Sequence, residues 1–154
     1  MAPTVSPPIF QEKDLSYYLR MIRREYSEFE EPVPQKSEGS AHVRNIVVVF
    51  GSESIGKGKE GLGKKLMYLL LQSLINGSTK PRAIILMNDA VKMSNGKSES
   101  MKKLVALEDQ GSKIMVCVSS AEEYDLADNM QVGFLASMDE ICETIMTAWK
   151  VITL

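Results

Sequence analysis

Apolar and polar positions change their period once the chain passes residue 44. Before it, Leu15, Tyr18, Leu19, Ile22, Tyr26 and Phe29 recur at three- and four-residue steps, with Arg20, Arg23, Arg24 and Glu25 between them. That spacing predicts one amphipathic helix over 12–30, and the Pro-, Ser- and Gly-containing stretch 31–40 after it reads as a linker. The helix's apolar stripe is expected to dock on its own subunit, with a partner or oligomer helix as the other reading. After residue 44, continuous apolar runs over 45–50, 82–87 and 113–118 predict strands covered on both faces, and 131–135 is a weaker fourth. Helical spacing fills the gaps. One helix over 62–75 stops at Asn76-Gly77, and a second over 100–110 turns Met101, Leu104, Val105 and Leu107 inward and stops at Gly111. The last opens on the capping sequence Ser137-Met138-Asp139-Glu140 and carries Ile141, Cys142, Ile145, Met146, Trp149 and Ile152 on one face. Strand–helix alternation predicts an α/β fold, a mostly parallel sheet with helices on both faces. The expected division is an N-terminal extension over 1–43 and one α/β domain over 44–154.

Composition narrows the function classes. A chain of 154 residues, 44% hydrophobic and 25% charged, supports one packed core and excludes disorder as the main state. Eighteen Lys+Arg against twenty Asp+Glu leave a net charge of -2, so neither nucleic acid nor an anionic membrane is an expected partner. With two cysteines, Cys117 and Cys142, and one histidine, His42, the chain lacks the ligands of a structural zinc site and the density of a disulfide scaffold. Neither metal nor cofactor is expected. The N-terminus has no signal-like apolar core, and no apolar run approaches the ~18 residues of a membrane span. The sequence therefore reads as cytoplasmic, with reduced thiols.

In open parallel sheets, ligands gather beyond the carboxyl ends of the strands. Three segments are expected there: the loop 51–58, Asn88-Asp89-Ala90, and Cys117-Val118-Ser119-Ser120. Gly56-Lys57-Gly58-Lys59-Glu60-Gly61 fits a dinucleotide fingerprint, but its first glycine comes six residues after Phe50. The run from Gly58 to Lys64 approaches P-loop spacing, yet Lys65 stands where a magnesium-binding hydroxyl belongs. A flexible basic loop leading into a helix is the better reading, with room for an anion near Lys57, Lys59 and Lys64. Cys117 ends an apolar strand, and Ser119 or Ser120 is expected to cap a short helix beside it. A nearby helix N-terminus favours a thiolate, while Glu122 and Glu123 oppose it. Spacing alone slightly favours a buried, inert cysteine. Cys142 reads as a small core residue, and His42 as a surface residue in the linker. Asn88 and Asp89 either bond neighbouring loops or satisfy the strand end.

The ordered set Gly56-Lys57-Gly58, Leu62-Gly63, Leu66-Met67, Asn88-Asp89-Ala90-Val91-Lys92-Met93, Leu104, Leu107-Glu108, Gly111, Cys117, Tyr124, Leu126, Val132-Gly133 and Ser137-Met138 resembles the DsrE/DsrF-like sulfur-carrier family. The likeness runs over about 45–150 and is greatest to the C-terminal domain of sulfurtransferase-like selenium metabolism proteins. The segment Ile114 to Ala121 also resembles the carrier-cysteine segment of bacterial tRNA-thiolation relay subunits. The resemblance implies a three-layer α/β/α fold, a homo-oligomer (trimer or hexamer), and a persulfide carried on Cys117. This chain departs from the selenium group at Cys117-Val118-Ser119-Ser120, where the second cysteine of Cys-Gly-Thr-Cys is replaced. A local dithiol cycle is thereby excluded, and sulfur donor and acceptor are expected to be other proteins.

The leading expectation is a sulfurtransferase-like carrier in which Cys117 holds sulfane sulfur, assisted by Ser119, Ser120 or Asn88. The alternative is an oligomeric binding or assembly module with the same fold and no sulfur transfer. A third reading is a small-anion or nucleotide binder at the Gly56–Gly63 loop, through Gly56, Lys57 and Gly58.

Overall fold

The computed structural model describes residues 45–59 and 61–154. The expected helix over 12–30, the linker, His42 and Glu60 lie outside the described residues. Among the described residues, five strands form one sheet: β1 (Ile46–Phe50), β2 (Ala83–Leu86), β3 (Lys113–Cys117), β4 (Phe134–Ala136) and β5 (Lys150–Thr153), in the order β4-β3-β2-β1-β5. Every neighbouring pair is parallel, where the sequence predicted only a mostly parallel sheet. The helices are α1 (Leu62–Asn76), α2 (Glu99–Asp109), α3 (Val118–Glu123) and α4 (Met138–Met146), and a 3-10 helix, Asn88–Ser94, follows β2.

Alternation along the buried strands divides the core in two. Val48, Phe50, Ile84, Leu86, Ile114 and Val116 meet Met67 and Leu71 of α1, Leu104 and Leu107 of α2, and Val91 and Met93 of the 3-10 helix. Val47, Val49, Ala83, Ile85, Met115 and Cys117 point the other way and meet Ile141 of α4. Helices on both faces make a three-layer α/β/α arrangement, and each buried aliphatic side chain contributes about 1.5–3 kcal/mol. Local contacts fix the joints. Lys80 Nζ donates to the carbonyls of Leu74 and Gly77 at 2.9 and 2.7 Å, satisfying groups that the end of α1 leaves open. Ser112 Oγ donates to the Pro81 carbonyl at 2.7 Å, tying the starts of β2 and β3.

Three sequence expectations need correction. The final helix stops at Met146, and Lys150–Thr153 becomes β5, pairing Val151 with Val47 and Ile152 with Val48. The β-branched run Val151-Ile152-Thr153 suits a strand better than a helix, and Asn45 holds the junction by donating from Nδ2 to the Thr147 carbonyl at 2.8 Å. The fourth strand begins at Phe134, later than the predicted 131–135, because Gly133 takes a left-handed conformation with φ 80°. A β-carbon there would lie 2.7 Å from the Ile114 carbonyl oxygen, so only glycine fits. Cys142 is exposed and is no core residue: α4 turns Ile141 inward, which rotates Cys142 out.

The capping sequence at 137–140 forms a complete capping box. Glu140 accepts from the Ser137 N–H at 2.7 Å and from its hydroxyl at 2.9 Å, and these bonds hold the Glu140 carboxyl below its usual pKa. A lowered folded-state pKa means the contribution is present above the ordinary glutamate value, about 4.3, and fades as acid protonates the folded carboxylate. The stability difference between the native chain and Glu140→Gln should therefore shrink on acidification below about pH 4, as read by urea titrations at several pH values. A second expectation concerns the inward face of α4. Ile141→Ala should cost about 2–4 kcal/mol while Met138→Ala stays within about 0.5 kcal/mol, measured by chemical denaturation; equal losses would contradict the assigned face.

Candidate functional site

Cys117 is the last residue of β3 and the N-cap of α3, with φ -60° and ψ 121°. The cysteine itself occupies the position expected for Ser119 or Ser120, so both serines fall in the first turn of α3. Its side chain makes no capping hydrogen bond. The residue is 3% exposed and packs in the second cluster, with Met115, Ala136 and Ile141 and, at the margin, Met87, Ile145 and Ala148. Alternation dictates this placement, since Met115 and Cys117 share a face and Val116 takes the other. The thiol thus sits at the carboxyl end of a central strand, beneath α4.

Ser120 has a different task. Its Oγ accepts the Asn88 N–H at 3.0 Å, which ties the start of α3 to the start of the 3-10 helix. Asn88 adopts φ 50°, a left-handed conformation that asparagine tolerates, as the chain turns away from β2. Ser119 is exposed. Cys117, Ser120 and Asn88 are therefore brought to one end of the sheet, with Asn88 joined through its backbone.

The glycine-rich loop is ordered by a separate set of bonds. Ser52 Oγ donates to Asp89 Oδ2 at 3.4 Å, the Ser54 N–H donates to Ser52 Oγ at 3.2 Å, and the Ile55 N–H donates to the Gly63 carbonyl at 3.1 Å. Lys64 pairs with Glu53 at 2.8 Å, and that carboxylate raises the Lys64 pKa above its usual value. Ile55 packs on the cluster that faces α1 and α2, whereas Cys117 belongs to the opposite cluster. Gly56, Lys57 and Gly58 are exposed on this loop, in a stretch separate from the apolar shell of the thiol. On the same side, Glu53, Lys92, Asn95, Lys97, Ser98 and Leu126 line an open groove of about 280 Å³. Lys92 also sits over the Tyr124 ring at 4.6 Å. The Ser52–Asp89 bond matches one of the two readings of Asp89, a bond to a neighbouring loop, whereas the Lys92–Tyr124 contact joins residues far apart in the chain and has no signal in the sequence. Asp89 next to the strand end was the one available signal.

Among solved structures, the chain is similar to the crystal structure of the YchN protein from E. coli, at 18% identity and a TM-score of 0.55, over 72% of this chain and 99% of that one. No family model and no curated protein matches the chain. At this identity the likeness shows the fold alone, a DsrE-like three-layer α/β/α arrangement. No helix among the described residues is long and apolar enough to cross a membrane.

Loop position depends on Gly63. A β-carbon there would lie 2.9 Å from both the Ile55 carbonyl oxygen and Ser54 Cβ. Gly63→Ala should cost about 1–3 kcal/mol in a urea titration because backbone has to move; a neutral result would show that the loop does not rest on α1.

Proposed function

We propose that this chain is a sulfurtransferase-like carrier in which Cys117 accepts a sulfane sulfur from a protein persulfide and passes it to a second protein. The observation that carries this reading is the place of Cys117: last residue of β3, N-cap of α3, at the carboxyl end of an all-parallel sheet. Chemistry in such sheets gathers there. The fold likeness and the resemblance of the Cys117 segment to carrier cysteines support it further.

In the proposed step, the Cys117 thiolate attacks the outer sulfur of the donor persulfide. The donor's S–S bond breaks, its electron pair leaves on the donor thiolate, and a new S–S bond forms on Cys117. No net oxidation occurs. Cys117 stands at the N-terminus of α3, and its side chain makes no capping hydrogen bond there. Delivery repeats the exchange, with an acceptor nucleophile taking the outer sulfur and the Cys117 thiolate leaving. Val118, Ser119 and Ser120 provide no second thiol, so discharge goes to another protein. Because Cys117 is 3% exposed, α4 has to yield before a donor reaches it.

That same burial supports a second reading, an assembly module that keeps the fold without sulfur transfer. Exposed Cys142 would confuse any simple thiol assay, so the test uses the full chain carrying Cys142→Ser. After incubation with a persulfide donor, intact mass should rise by one sulfur atom, reverse on reduction, and stay unchanged when Cys117→Ser is added. No gain, or an equal gain without Cys117, would overturn the carrier reading and leave the assembly module.

A further inference from the structure

The open groove beside the 3-10 helix carries an unbalanced charge. Its apolar lining is Leu126, which packs on the core cluster that faces α1 and α2, and its polar lining includes Glu53, Lys92, Lys97 and Ser98. The Glu53 carboxylate is neutralised by Lys64 at 2.8 Å. Among the described residues, no carboxylate stands within ion-pair distance of Lys92 or Lys97. The groove therefore presents two uncompensated ammonium groups. Exposed Glu99, Asp125 and Asp128 lie close to it along the chain but form no part of its lining.

Hydrogen bonds fix this lining in place. The Lys97 N–H donates to Asn95 Oδ1 at 3.0 Å, Asn95 Nδ2 donates to the Asn129 carbonyl at 3.1 Å, and the Gln131 N–H donates to the Ser94 carbonyl at 2.8 Å. Together they clamp the stretch that joins the 3-10 helix to α2. Lys92 is held from the other side by the Tyr124 ring at 4.6 Å. Ser98 caps α2 by accepting the Ser100 N–H at 3.2 Å, which leaves its O–H to donate. A cleft lined by one sign of charge focuses the field on an incoming counter-ion, and fixed walls lower the ordering cost of binding it. The volume of about 280 Å³ is near the lower end of the roughly 300–1,000 Å³ of ligand pockets, so the occupant is small.

We propose that this groove binds a small organic dianion, a phosphate monoester or a dicarboxylate, with its charge met by Lys92, Lys97 and the Ser98 hydroxyl and its carbon part against Leu126. The groove is separate from the sulfur chemistry proposed for Cys117, whose side chain belongs to the opposite cluster. It is also separate from Gly56, Lys57 and Gly58, which do not line it.

Titration calorimetry on the full chain at low ionic strength tests this, with phenyl phosphate and succinate as separate probes. At least one should bind one-to-one with a dissociation constant below about 1 mM, and whichever binds identifies the chemistry of the dianion. Lys92→Met and Lys97→Met should each weaken that binding about tenfold. Glu53→Gln, which removes the carboxylate from the lining, should tighten it about threefold. A purely structural role for these residues would not move affinity in opposite directions, and circular dichroism melts establish that each variant folds. Lys57→Met, on the glycine-rich loop, should leave the affinity unchanged. Failure of both probes to bind, affinity indifferent to Lys92 and Lys97, weaker binding by Glu53→Gln, or dependence on Lys57 would each overturn the proposal.

Discussion

Two-sided burial of the parallel sheet is the constraint from which the other features follow. Residues alternate across β1, β2 and β3, so each strand supplies apolar side chains to both faces and each face needs its own cover. The cover is unequal. One face receives α1, α2 and the 3-10 helix, while the other has the nine residues of α4 among the described helices. Because Cys117 falls on the α4 face, its thiol is enclosed by a single short helix. Because α4 is short and the sheet beneath it is wide, apolar side chains remain outward at its flanks.

The central strands were legible in the sequence for the same reason. Strands buried on both faces read as unbroken apolar runs, and β1, β2 and β3 stand within a residue or two of their predicted positions. Edge strands lack that signal. Phe134 and Leu135 are both partly exposed, and β5 follows a helix so closely that Trp149 and Ile152 fit the helix's spacing. The α4 face was ambiguous for a geometric reason. Ile141 and Ile145 form one possible inward pair, and Met138, Cys142 and Met146 form another only about 100° away around the helix. Contact with Met115, Cys117 and Ala136 selects the isoleucines, and that choice is a tertiary one.

The candidate site shows the same division. Cys117 at a strand end was readable, as was the gathering of Asn88 and Ser120 near it. Their joint is a backbone N–H donating to a serine hydroxyl thirty-two residues away, which no local pattern announces. The glycine-rich loop reads in the sequence as a flexible basic loop leading into a helix, whereas Ser52, Ser54 and Ile55 tie its first half to Asp89 and Gly63. Its packing through Ile55 toward the α1 side, away from the thiol's cluster, depends on which face each strand residue takes.

Enclosure and reactivity at Cys117 meet in one quantity, the protection of the thiol in the native chain. In a chain carrying Cys142→Ser, the rate at which iodoacetamide modifies Cys117 is compared in native buffer and in denaturant, with Ile141→Ala as a probe of the α4 cover. The account expects native modification to be at least about tenfold slower than in the unfolded chain, and expects Ile141→Ala to speed it. A native rate equal to the unfolded rate, or one indifferent to Ile141, would contradict the placement of the thiol beneath α4.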